Sequence, residues 1–223
     1  MIRAVLFDLD GTVVDTERVY LEGFAAVAKE LGIPEGALEH HPYLCGTIYE
    51  DGKRHMLDIY GEDLPYDEWF RSMRACADRK FEVDGVPTKP GVPKVFDDLH
   101  AMGCKVALVT GSKKHRVDRY LRSLNMEDRF DCVVCGDQVA HGKPAPDCYL
   151  LAAARLGVEP GDCMVVEDAK CGILSAKNAG MCPVFIRDLY PLPEEIEVHV
   201  AHSVETLLQI PPLVAEKNQM EKN

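Results

Sequence analysis

Short apolar runs bounded by Gly, Asp or Pro recur at residues 2–7, 106–109, 132–135, 164–166 and 183–186. Runs of this length without polar alternation predict strands buried on both faces, as in parallel sheets. Between most of them the apolar positions switch to helical spacing, over residues 92–102, 115–124, 147–156 and 172–179. Strand and helix in alternation predict an α/β protein built on a doubly wound, mainly parallel sheet.

One interval breaks the rhythm. The first strand ends near Asp8 and the second begins near Lys105, whereas a βαβ crossover needs only about 30 residues, which leaves roughly 70 to spare. The surplus carries helical patterns at residues 16–31, 49–60 and 66–81 and no strand pattern. It predicts an inserted all-helical cap over residues 16–84, a segment able to act as a lid. The catalytic core then comprises residues 1–15 and 85–210. The chain re-enters it through Gly85-Val86-Pro87-Thr88-Lys89-Pro90-Gly91, and from Pro211-Pro212 onward residues 211–223 read as a frayed polar tail.

Composition narrows the function. A net charge of −12 argues against a nucleic acid polymer, which is bound mainly through clustered Lys and Arg. The longest apolar stretches, such as Ala4-Val5-Leu6-Phe7, fall far short of the roughly 18 residues of a membrane span. The first apolar stretch ends in acids rather than the small residues of a signal-peptide cleavage site. Nine cysteines, an odd number without framework spacing, suit reduced thiols. The expectation is a cytoplasmic monomer that contacts no membrane.

The chemistry gathers at strand ends, where open α/β sheets bind their ligands. Asp8 and Asp10 follow the first strand and can point together only if Leu9 points away, with Gly11 turning the chain. Alone, this Asp-Gly reads as a turn. Three more strand ends alter that reading. Thr110-Gly111-Ser112 offers hydroxyls and amides for an anion. Lys143, in Gly142-Lys143-Pro144-Ala145-Pro146-Asp147, supplies a compact positive charge. Glu167-Asp168 adds two acids suited to a hard, oxygen-seeking cation.

With these residues in order, the chain resembles the haloacid dehalogenase-like hydrolase superfamily. Asp8-Leu9-Asp10-Gly11-Thr12 looks like its first motif, Thr110 with Gly111 and Ser112 its second, Lys143-Pro144 its third, and Glu167-Asp168 with Gly172 its fourth. The stretches 143–147 and 165–173 are especially similar to the subfamily of β-phosphoglucomutase and sugar-phosphate phosphatases. The resemblance implies a Rossmann-like core and Mg²⁺-dependent hydrolysis of a small phosphorylated metabolite, sugar phosphate-like or nucleotide-like. It implies Asp8 as nucleophile and metal ligand, and Asp10 as general acid/base that also lends its backbone carbonyl to the metal. Thr110, Gly111 and Lys143 would bind the phosphoryl group, and Glu167 and Asp168 the metal. Dehalogenases of the superfamily lack the second aspartate, so Asp10 weighs against dehalogenation.

The alternative is a phosphomutase. Mutases of the β-phosphoglucomutase type carry a cap histidine and a cap arginine where this chain has Tyr20 and Tyr49. With Gly46 and Thr47, in Leu44-Cys45-Gly46-Thr47, these are the candidates for leaving-group recognition. Lys53, Arg54, Arg79 and Lys80 are cap cations that read as solvated helix residues. A non-catalytic phospho-ligand-binding protein would be expected to lack some of Asp8, Asp10, Lys143 and Asp168. Cys132 and Cys135 lie three apart on a strand and face opposite sides, so they read as structural rather than zinc-binding. The pair His40-His41 lacks a ligand pattern and reads as exposed.

Overall fold

The computed structural model describes residues 1–45, 47 and 49–220. In chain order the elements are β1 (Ala4–Phe7), α1 (Glu17–Ala28), α2 (His41–Leu44), α3 (Tyr49–Tyr60), α4 (Tyr66–Asp84), α5 (Lys94–Ala101), β2 (Lys105–Val109) and α6 (Lys114–Ser123). They continue with β3 (Cys132–Val134), α7 (Asp147–Leu156), β4 (Cys163–Glu167), α8 (Lys170–Asn178), β5 (Cys182–Ile186), α9 (Glu194–Glu197), β6 (His202–Val204) and α10 (Ile210–Met220). Among the described residues the strands form one six-stranded sheet in the order β3-β2-β1-β4-β5-β6, with parallel pairing throughout.

That order reverses direction beside β1, and the crevice at such a switch point is where α/β sheets bind ligands. The register makes the placement specific. Phe7 pairs with Leu108 on one side and Val166 on the other, so Asp8 comes level with the ends of β2 and β4.

Alternation along the strands sorts the core into two layers. Val5, Phe7, Val106, Leu108, Met164 and Val166 face one way and pack with Val95, Phe96 and Leu99 of α5, Val117 and Tyr120 of α6, and Ile210 and Val214 of α10. Ala4, Leu6, Ala107, Val109, Cys163 and Val165 face the other way, against Tyr149, Ala152 and Ala153 of α7 and Ala176 of α8. Helices on both faces thus hide strands that offer no polar side. Cys132 and Cys135 fall into opposite layers, and both are free thiols.

The helices between β1 and α5 pack on one another and join the first layer in one continuous cluster. Trp69 of α4 is buried beside Phe24 of α1, ring centroids 4.8 Å apart, and its indole N–H donates to the Phe24 carbonyl at 3.0 Å. Entry to and exit from this segment are joined. Val14 bridges Thr88 in antiparallel fashion, the Asp15 amide donates to Pro87 O at 2.9 Å, and the Lys89 amide donates to Val13 O at 2.9 Å. The Lys89 ammonium then bonds Asp15 at 3.0 Å and Asp188 beyond β5. No helix among the described residues is long and apolar enough to cross a membrane.

Two features differ from the sequence reading. Strand β6 pairs with β5 at the sheet edge, yet its three residues, His202-Ser203-Val204, form no apolar run. Residues 211–220, read as frayed, lie in helix α10, whose Ile210, Pro211 and Val214 are buried. The polar half is anchored by Asn218, which accepts the Ile2 amide at 2.6 Å and donates to the Ile2 carbonyl at 3.0 Å. Asn218→Ala removes both bonds and is expected to cost about 1–3 kcal/mol, measured by urea unfolding; an unchanged midpoint and slope would show that α10 is not held there.

Candidate active site

The site begins where β1 stops. The Asp8 amide still donates to Val166 O at 3.1 Å, and the Val13 and Val14 amides then fold back onto Leu9 O, each at 2.9 Å. Leu9 is fully buried in the core, while Asp8 and Asp10 both line a cleft of about 600 Å³. Gly11 has a φ of +80°, which L side chains rarely adopt, and a Cβ there would stand 2.2 Å from Asp168 Oδ2. Glycine therefore permits both the turn and the approach of the acid. Thr12 completes the contact by donating to Asp168 Oδ1 at 2.9 Å.

Lys143 is the electrostatic centre. Its ammonium is buried, 2.5 Å from Asp8 Oδ1, 2.5 Å from Glu167 Oε1 and 3.1 Å from the Val109 carbonyl. Burial alone would discharge it, but the flanking carboxylates of Asp8 and Glu167 raise its pKa well above the ordinary value. The Tyr149 hydroxyl donates to the same Glu167 oxygen at 2.6 Å. Gly172, in α8, lies against this acid, for a Cβ there would fall 1.9 Å from Glu167 Cδ.

Asp8, Glu167 and Asp168 each present a carboxylate oxygen, all within 4.8 Å of one another. Burial first, then the neighbouring Glu167 and Asp8, push the Asp168 carboxyl well above the usual carboxylate range. Three acids against one ammonium leave surplus negative charge on hard oxygen donors, a set that fits a divalent cation of the Mg²⁺ kind. The carboxylate of Asp10 is turned elsewhere. One oxygen takes the Thr16 hydroxyl at 2.5 Å and the other the Ser112 hydroxyl at 2.9 Å. The Thr110 hydroxyl oxygen accepts the Ser112 amide at 3.0 Å, which leaves its proton for another acceptor. Thr110 and Gly111 line the cleft with Lys143.

Of the four residues expected to meet the leaving group, Tyr20, Thr47 and Tyr49 line the same cleft, and Gly46 lies outside the described residues. Tyr20 is buried and shares a 2.7 Å hydrogen bond with the Tyr120 hydroxyl. Thr47 donates to the Leu44 carbonyl at 3.0 Å, and Tyr49 donates to Asp67. Lys53, Arg54 and Lys80 pair with Asp67, Asp51 and Glu22, Arg79 donates to Cys76 Sγ, and none of the four lines the cleft.

Two residues were missed or misread. Arg74 of α4 lines the cleft with its guanidinium 4.4 Å above the Tyr20 ring, and its buried Nη1 has no hydrogen-bond partner among the described residues. The signal was its position. Arg74 follows Phe70 by four residues and Tyr66 by eight, which sets it on the apolar face of α4. His41, read as exposed, is buried at 2% exposure. It packs edge-on to Phe24 and bonds the Tyr190 hydroxyl at 3.0 Å, and burial lowers its pKa to about 4.

Residues 2–180 match the family model of the haloacid dehalogenase-like hydrolases. A phosphorylated carbohydrates phosphatase of Thermotoga maritima is 32% identical, the match covering 80% of this chain and 82% of the relative. The β-phosphoglucomutase of Bacillus subtilis is 30% identical over 85% of each chain. The crystal structure of β-phosphoglucomutase from Clostridium difficile superposes with a TM-score of 0.79 over 100% of both chains, at 22% identity, and so shares the fold.

Gly172→Ala forces Glu167 to move and is expected to lose about 1–3 kcal/mol, as overpacked interiors do. Gly161→Ala, where an added Cβ meets nothing within 4 Å, is the neutral control. Equal stability of the two variants in urea titration would contradict the packing described.

Proposed function

The chain belongs to the haloacid dehalogenase-like hydrolase family, and from that premise we propose that it is a phosphatase acting on a small phosphorylated carbohydrate through an aspartyl-phosphate on Asp8. The observation that carries this reading is the buried Asp8–Lys143–Glu167 cluster, with Asp10 held beside it by two hydroxyls. A nucleophile, a proton carrier and a fixed cation share one strand-end edge, and phosphoryl transfer draws its catalysis mainly from such placement and charge neutralisation.

In the first step an Asp8 oxygen attacks phosphorus and the bond to the leaving oxygen breaks, while Asp10 gives that oxygen a proton. In the second step Asp10 takes a proton from water, the water oxygen attacks phosphorus, and inorganic phosphate leaves Asp8 free. Thr16 and Ser112 hold the Asp10 carboxylate in place for both transfers. The Lys143 ammonium, the Thr110 hydroxyl and the Gly111 amide bind the phosphoryl oxygens. Asp8, Glu167, Asp168 and the backbone carbonyl of Asp10 would hold Mg²⁺, which supplies charge neutralisation for the transferring group when bound.

The leaving group would lie beneath the inserted helices, among Tyr20, Thr47, Tyr49 and Arg74. Arg74 supports a carbohydrate carrying a second polar or anionic group, because its Nη1 has no acceptor among the described residues. The same residue favours a second reading, a phosphomutase of the β-phosphoglucomutase type, since a bisphosphate intermediate needs a cation for its far end. Tyr20, in place of the cap histidine, weighs against it.

Several outcomes decide between these readings. Turnover of p-nitrophenyl phosphate should vanish in EDTA and return with Mg²⁺. Asp8→Asn should be inactive and Asp10→Asn slower by about 10²- to 10⁴-fold; steady-state rates like those of the parent chain would exclude the assigned roles. Arg74→Ala should raise KM for sugar phosphates by about 10- to 100-fold, the value of a hydrogen bond to a charged group, and leave p-nitrophenyl phosphate nearly unchanged. Conversion of β-glucose 1-phosphate to glucose 6-phosphate, primed by the bisphosphate and outpacing release of inorganic phosphate, would favour the mutase.

A further inference from the structure

We infer that Glu17, His41 and Cys45 form a second cation site, selective for a borderline or soft transition metal such as Zn²⁺ and distinct from the oxygen-only group around Asp8. The three residues line the same cleft, and one ligand atom from each lies within 4.8 Å of the others. Cys45 Sγ is 3.2 Å from Glu17 Oε2 and 3.4 Å from His41 Nδ1. A tetrahedral zinc with bonds of about 2.0–2.3 Å spaces its ligands by about 3.3–3.8 Å, so Cys45 Sγ and Glu17 Oε2 already stand near that separation. His41 Nε2 is 4.0 Å from Glu17 Oε2, while Nδ1 is held by the Tyr190 hydroxyl. Anchoring through the second ring nitrogen is the usual support of a ligating imidazole.

Acids outnumber cations in the surroundings, where Arg74 lies near Glu17 and Lys89 pairs with Asp188. Asp188 has a side chain only 3% exposed, and its Oδ2 has no hydrogen-bond partner among the described residues. Burial, then Glu17, Asp168 and Asp188, push the Cys45 thiol far up, and burial with Asp10 raises Glu17 to about 7. Both groups are therefore disfavoured as anions chiefly by burial, a condition that a bound divalent ion offsets. On binding, the S–H bond of Cys45 breaks as the metal–sulfur bond forms, and the proton leaves to solvent. His41, kept neutral by burial, is already in its ligating form.

Donor chemistry sets the selectivity. Thiolate and imidazole favour Zn²⁺ over Mg²⁺, whereas the all-carboxylate group favours Mg²⁺. Position sets the consequence. Cys45 and His41 belong to the α2 region, Glu17 opens α1, and Tyr190 follows β5. An ion here pins α2 to the base of the insertion and occupies cleft volume.

The test uses the full chain, stripped with chelator and returned to excess Mg²⁺, then titrated with Co²⁺ and afterwards with Zn²⁺. One equivalent of Co²⁺ is expected to give thiolate-to-cobalt charge-transfer absorption that Zn²⁺ abolishes. Cys45→Ser, checked for folding by circular dichroism, should lose that absorption and bind Zn²⁺ at least about 10- to 100-fold more weakly. Cys76→Ser, on a partly buried thiol outside the cleft, should retain both properties. Absence of the thiolate band in the parent chain, or its persistence in Cys45→Ser, would overturn the site. The readout is spectroscopic, so it stands whether or not the phosphatase reading holds.

Discussion

Lys143 is a charge that the fold has placed out of water. An ammonium in the interior is costly by itself, because desolvation disfavours its charged form. Here two carboxylates, each 2.5 Å away, and a main-chain carbonyl at 3.1 Å surround it. The arrangement holds only if β1, β2 and β4 end at the same level. The register of the sheet is thus an electrostatic requirement as well as a packing one. A Cβ at position 172 would displace Glu167 from this cluster, and one at position 11 would displace Asp168 beside it.

The inserted helices impose a different constraint. Their aromatic interior, built around Phe24, Tyr66, Trp69 and Phe70, gives a firm platform. Over one end of it the Arg74 guanidinium lies across the rings of Tyr20 and Phe70. Such stacking satisfies the flat faces of a guanidinium but not its edge donors. The cation is held in place yet retains bonding capacity toward the cleft.

Much of this was legible in the amino-acid pattern. The five apolar runs lie on β1 to β5, and helix–strand alternation gave the doubly wound sheet, because buried parallel strands leave no polar side to blur the signal. Asp8, Asp10, Thr110, Glu167 and Asp168 could be named as candidates because they stand at or just past the ends of β1, β2 and β4, whereas Lys143 lies well past the end of β3 and reaches Asp8 and Glu167 through its side chain. What stayed hidden depended on side-chain contacts across elements. Asn218 looks like tail polarity until its amide meets both polar groups of Ile2. His41 looks solvated until Phe24 and Tyr190 cover it. Strand β6 carries too little apolar material to stand apart from a loop, and the β5 ladder alone defines it. Arg74 carried a readable sign, a charge on an apolar helix face, but its partner ring at Tyr20 is distant in sequence.

The pairing of Val14 with Thr88, braced by Lys89 between Asp15 and Asp188, has a consequence for how such a chain can diversify. From the sheet's side, everything between those two residues amounts to a tight turn, since its ends are already closed and its length adds little further entropy cost. The sheet edge and the segment above it are therefore joined at a narrow base, with Thr16 of that segment still bonding Asp10. Helices on the far side of that clasp can be lengthened or exchanged while the strand that ends at Asp8 keeps its neighbours in the sheet.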